Sequence, residues 1–170
     1  MKKVLLLSAI AFVTLGIKAQ DDKSKRPSPP AKVTETISNG TVITIDYSQP
    51  AVKGREIGKE IAPYGKVWRT GANEATTFEV SKDVKVEGKS LPAGKYGLFT
   101  IPNKEEWVVI FNKTPNQWGA YKYAESDDVL RVKVKPTKAP QFTERMTFNV
   151  DKSGKVSLLW GNEEVDFSVK

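Results

Sequence analysis

From residue 33 to residue 169 the chain alternates apolar and polar side chains in short runs, most of them closed by a turn signal. A period of two marks strands with one buried face, because successive side chains point to opposite sides. The runs fall at 33–38, 41–47, 75–80, 83–86, 94–101, 106–112, 129–135, 142–150, 155–160 and 165–169. No long stretch has a helical period. Asn39-Gly40 separates the first two runs and reads as a hairpin turn in which both residues take positive φ. Asp151-Lys152-Ser153-Gly154 marks another hairpin, and the runs 75–80 and 83–86 read as a further pair. About nine or ten short strands joined by tight turns predict an all-β antiparallel sandwich, with jelly-roll or immunoglobulin-like topology open. Two segments break the rhythm, at 48–74 and 113–128. Connections this long are usually functional or hold a short helix. Residues 55–61 fit a helical turn, with Ile57 and Ile61 on one face and Pro63 ending it.

The first residues read differently. Lys2 and Lys3 precede an apolar run at 4–17, followed by Lys18-Ala19-Gln20 and a polar stretch. That order is expected of a cleavable export signal at 1–19, and the run is too short to span a membrane. Cut after Ala19, the product is expected in the periplasm or outside the cell. It has no cysteine to carry a lipid, so no stable membrane anchor is expected. Residues 20–31 form a polar leader whose Pro27, Pro29 and Pro30 give an extended linker. Residues 32–170 are expected to form a single domain and a monomer. The formal charge of +7 comes from 27 Lys and Arg against 20 Asp and Glu; losing Lys2, Lys3 and Lys18 leaves 24 against 20, or +4. The lysines are scattered and no recognition motif accompanies them, so nucleic acid is not an expected partner.

The chain has no histidine and no cysteine. That removes imidazole base catalysis, thiolate nucleophiles and the His or Cys metal sites, and no calcium-loop or phosphate-loop spacing is present. No cofactor, metal or catalytic residue is assigned. Carboxylates remain, but among 20 acidic residues some pair is inevitable.

The distinctive stretch is 63–76, PYGKVWRTGANEAT. It gathers Tyr64, Lys66, Trp68, Arg69, Asn73 and Glu74 on a glycine-containing loop. Arg69 offers a planar fork suited to a carboxylate or phosphate, Asn73 and Glu74 a mixed donor and acceptor set, and Trp68 a flat face for a sugar ring. Read structurally, Trp68 instead plugs an end of the sandwich while Arg69 and Glu74 pair to fix the loop. Trp118, in the second long loop beside Tyr121 and Tyr123, frames a cleft if the two loops meet at one end. Trp107 and Trp160 read as core or rim residues.

The stretches PYGKVWRTGANEAT, LPAGKYGLFTIP (91–102), EWVVIFNK (106–113) and QWGAYKY (117–123) resemble the exported bacterial family catalogued as domain of unknown function 2911, over roughly 28–169. The signal ending in Ala-Gln resembles those of Bacteroidetes-type bacteria. The resemblance implies export and a β-rich domain. It marks Trp68, Arg69, Asn73 and Glu74 as signature residues without giving them a role. The expectation is a non-catalytic binding module for a glycan or a small anionic ligand, held by Tyr64, Lys66, Trp68, Arg69, Asn73, Glu74 and Trp118. The alternatives are a carboxylate-based carbohydrate-active enzyme using Glu74, and a structural or interaction protein without a small ligand.

Overall fold

The computed structural model describes residues 22–170. The export signal read at 1–19 lies outside the described residues. Ten strands follow a short 3-10 turn at Lys23–Lys25. They are β1 (Pro30–Thr36), β2 (Val42–Ser48), β3 (Thr77–Val80), β4 (Val84–Val86) and β5 (Lys89–Leu91). Then come β6 (Gly94–Ile101), β7 (Trp107–Asn112), β8 (Asp128–Val134), β9 (Pro136–Val150) and β10 (Lys155–Ser168).

One layer is a six-stranded antiparallel sheet in the order β1-β2-β3-β6-β7-β8. The facing layer contains the pairs β9–β10 and β4–β5. These join at the end of β10, where the backbones of Lys85 and Lys170 exchange hydrogen bonds of 2.7 and 2.9 Å. The large sheet therefore follows chain order with one excursion, a simpler path than either winding the strand count left open. The excursion corrects one pairing: β3 lies between β2 and β6, and β4 pairs with β5 in the other layer. The strand β5 has no counterpart among the alternating runs, and the runs 155–160 and 165–169 are one strand, bulged on either side of Gly161.

The two expected hairpins form with a common geometry. Ile37 N–H donates to Thr41 O and Gly40 N–H to Ile37 O; Asp151 N–H donates to Lys155 O and Gly154 N–H to Asp151 O. In each turn only the glycine has positive φ, +78° at Gly40 and +86° at Gly154. These are three-residue loops ending in a left-handed glycine, so Asn39 does not need the positive φ expected of it. Residues 55–61 make a turn closed on Glu56 O and no helix.

Alternation sets the core. On β2, Ile43, Ile45 and Tyr47 face inward, while Thr44 and Asp46 face outward. Between the layers Phe78 and Phe111 each meet Phe167 at 5.9 Å. Tyr47 meets Phe148 edge-on at 5.0 Å and its hydroxyl accepts the Phe148 N–H. Trp107 and Trp160 are buried in this core. A smaller cluster, built on Ala75, Phe99 and Ile110 with Val67, Ala120 and Tyr123, draws on both long loops. It anchors them beside the large sheet and so positions the site.

Candidate functional site

The register of the large sheet brings the two long loops together. Asp46, Thr77, Gly97 and Asn112 share one row across β2, β3, β6 and β7. The first loop enters at Thr77 and the second leaves at Asn112, so both attach at this row. The second loop then passes over Gly97. A Cβ there would lie 2.8 Å from the Phe99 ring and 3.1 Å from Thr114 O, so only glycine lets the backbone come this close. The loops pair where they meet: Ala75 N–H donates to Gln117 O (2.9 Å) and Gly119 N–H to Asn73 O (3.0 Å). Glu74 and Trp118 thereby become partners in a one-residue antiparallel bridge.

The chain before β1 lies against the same place. Lys23 Nζ is 2.9 Å from Glu74 Oε1, and Arg26 Nη1 donates to both Glu74 oxygens at 3.1 and 3.0 Å. Asn73 Nδ2 donates to Ser28 O, and the Arg26 guanidinium lies 5.9 Å from the Trp118 ring centre. The leader therefore docks across the bridge between the loops. Burial raises the Glu74 pKa, but its hydrogen bonds with Lys23, its own backbone and Arg26 outweigh that and hold the carboxyl at about 2.

This has a consequence in acid. The folded carboxyl titrates at about 2 against an ordinary 4.5, so its stabilisation is complete above the ordinary value and fades as pH falls towards 2. Glu74 is 41% exposed, so water screens both pairs and the pH-linked part is on the order of 1 kcal/mol. Glu74→Gln should flatten this part of the acid-unfolding profile and release the leader to proteolysis. A Glu74→Gln profile that matches the native one between those pH values would count against the clamp.

A cleft of about 550 Å³ opens beside the bridge. Its floor includes Asp46, Thr77 and Lys95 from three neighbouring strands, and its rim includes Lys23, Glu74 and Trp118. Asp46 lies 3.2 Å from Lys32 Nζ and 3.8 Å from Lys95 Nζ. Thr77 Oγ1 is cut off from water and has no hydrogen-bond partner. Trp118 is 54% exposed, so its indole is available at the rim. Among the described residues no group of three or more Asp and Glu side chains could hold a metal ion.

The residues singled out from sequence divide. Asn73, Glu74 and Trp118 come together at the loop bridge, with Arg69 close by. Trp68 turns inward, stacked on Trp160 at 5.2 Å and edge-on to Trp107 at 6.4 Å. Its backbone bridges Thr100 in both directions, so it is a plug of the core rather than a cleft wall. Tyr64 lies over Gly58, where burial and then the charge of Glu163 push its phenol up. Lys66 is exposed and has no ion-pair partner among the described residues. The pair expected between Arg69 and Glu74 does not form, because Lys23 and Arg26 take the carboxylate.

Fold and site together define a two-layer antiparallel β-sandwich with two bridged loops beside a cleft. The chain belongs to the family described as protein of unknown function (DUF2911), which it matches over residues 28–169. Neither the search of curated proteins nor that of solved structures returned a match.

Proposed function

We propose that the chain is a non-catalytic binding module that takes a glycan in the cleft beside Trp118, in the periplasm or outside the cell. The observation that carries this reading is the exposed indole on the rim of a 550 Å³ cleft lined by Asp46, Thr77 and Lys95. An aromatic face covers the C–H side of a sugar ring, and a few fixed polar groups hold its hydroxyls. Asp46 and Lys95 supply an acceptor and a donor on the cleft lining. The compartment rests on the export signal read at 1–19.

The general-acid role in a carboxylate enzyme is disfavoured by the state of Glu74. A general acid must carry its proton near the working pH, and glycosidases raise the pKa of that group. Glu74 is instead held ionised down to about 2.

The test is to titrate the native chain with a panel of neutral and acidic oligosaccharides and follow tryptophan fluorescence. At least one should bind, and Trp118→Ala should weaken it by roughly tenfold or more, about 1.4 kcal/mol. Since Trp118 is exposed, the variant should unfold within about 0.5 kcal/mol of the native chain. Silence across the panel, or equal affinity in the variant, would remove the cleft reading.

A further inference from the structure

We propose that Arg69, beside Tyr121, is a binding site for an organic carboxylate, distinct from the glycan cleft. The chain has five arginines. Arg26 bonds Glu74, Arg131 bonds Asp128, Arg55 bonds the carbonyls of Ala51 and Val52, and Arg145 bonds those of Pro27 and Gln49. Arg69 alone has no acceptor among the described residues. It is not a solvated surface arginine either: the side chain is half-buried, and Nε is sealed from water without a partner.

Its position follows from the backbone. Trp68 points into the core, so the next side chain turns the other way. Arg69 O accepts the Thr76 N–H at 3.2 Å, which fixes the turn from which it projects. On that side runs the second loop. A Cβ on Gly119 would lie 3.9 Å from Arg69 Nη1 and 3.4 Å from the Tyr121 ring, so guanidinium and phenol flank the same bare backbone. Tyr121 is 86% exposed. Glu74, the one signature carboxylate near enough in sequence to have closed the fork, is engaged by Lys23 and Arg26.

A partly desolvated guanidinium without an acceptor is unfavourable, and burial accordingly pushes the Arg69 guanidinium down, opposed by Tyr121. A carboxylate at the two Nη groups offsets the unpaired charge with two coplanar oxygens matched to that edge of the fork, a geometry that lysine lacks. The sealed Nε stays beyond its reach and reports binding as a neighbour. The exposed ring of Tyr121 offers a face for the carbon part of the ligand. The site does not depend on the cleft reading, because Arg69 does not line the cleft.

The experiment is an NMR titration of the native chain at constant ionic strength, with glucuronate, acetate, sulfate and glucose as probes. The sealed Nε–H of Arg69 should exchange slowly enough to give a resolved signal. Glucuronate and acetate should shift that signal saturably, and glucose should leave it in place. Arg69→Gln should abolish glucuronate binding, and Arg69→Lys should weaken it at least tenfold. No saturable shift with either carboxylate, or glucuronate affinity unchanged in Arg69→Gln, would overturn the site; tighter binding of sulfate than of both carboxylates would overturn the ligand class. The native signal decides the matter even where Arg69→Gln fails to fold. Neutral oligosaccharide binding, read in parallel at Trp118, separates the two proposals: its loss with glucuronate binding intact removes the cleft alone.

Discussion

Replacing Trp68 with alanine should lower the free energy of unfolding by about 3–5 kcal/mol, the range for truncating a buried tryptophan. Trp68 is 8% exposed and stacks on Trp160 with the rings 11° from parallel, while Trp107 meets it edge-on. Trp107 and Trp160 are each 1% exposed and cannot swing outward to fill the space. The backbone bridge between Trp68 and Thr100 holds the chain in place, which limits collapse around the cavity. Limited relaxation puts the cost towards the upper part of the range. Urea unfolding followed by circular dichroism should show a lower midpoint with an unchanged slope, since the surface exposed on unfolding barely changes. Trp68→Phe should recover part of the loss by keeping a ring against Trp160. A loss below about 1 kcal/mol in Trp68→Ala would mean that the indole is not the plug described. The contrast with Trp118→Ala is the point: two tryptophans of two long loops, one expected to govern stability and the other binding.

That contrast also shows what a sequence of this kind reveals. The all-β sandwich was legible because alternation is a physical requirement of a half-buried strand, and β2 displays it residue by residue. What failed was connectivity. Residues 75–80 and 83–86 are adjacent runs with turn residues between them, yet β3 and β4 lie in different layers. A short turn permits a hairpin but equally permits a step between sheets, and local pattern does not distinguish them. At the site, the stretch from Tyr64 to Glu74 looked like one constellation, but its members face different directions. Trp68 and Arg69 are neighbours and necessarily diverge, one into the core and one towards the second loop. The meeting of Glu74 with Trp118 follows from the shared row that holds Thr77, Gly97 and Asn112, and register across four strands is a long-range property. Lys23 and Arg26 were hidden in a leader whose composition reads as linker, since an ion pair leaves no periodic trace. Asp46, Thr77 and Lys95 were hidden for the opposite reason: on regular strands they read as an ordinary polar face.

Asp128→Ala should cost about 3 kcal/mol, and most of that loss should appear in the loop that carries Trp118. Asp128 opens β8 and its side chain is 6% exposed. Oδ2 accepts from Arg131 Nε (2.6 Å) and from the Tyr123 hydroxyl (2.7 Å), and Oδ1 accepts from Asn112 Nδ2 (2.8 Å). Alanine removes one acceptor from each of the three donors, although Asn112 Nδ2 keeps its bond to Ala124 O at 3.0 Å. Asn112 is fully buried, and Tyr123 is fixed by its contact with Phe99 at 5.1 Å, so neither can turn freely to water. Arg131 keeps Glu125 at 3.2 Å and is 32% exposed, which holds the cost below that of a fully buried pair. Burial chiefly, and then Asp128 beside it, push the Tyr123 phenol up to about 12; without the carboxylate it should fall back towards the ordinary 10.0. Spectrophotometric titration reads that change directly. Hydrogen exchange should quicken at Lys113 N–H, bonded to Asp127 O, and at Tyr123 N–H, bonded to Ala120 O, while the strand amides of β6 and β7 stay protected. Asp128→Asn keeps an acceptor for Tyr123 and should retain part of the stability. Unchanged exchange in the loop, with a stability loss under about 1 kcal/mol, would show that this carboxylate does not anchor it. Because Trp118 lies on that loop, glycan binding in Asp128→Ala should weaken along with loop protection, whereas Trp68→Ala should leave binding by the folded fraction closer to native.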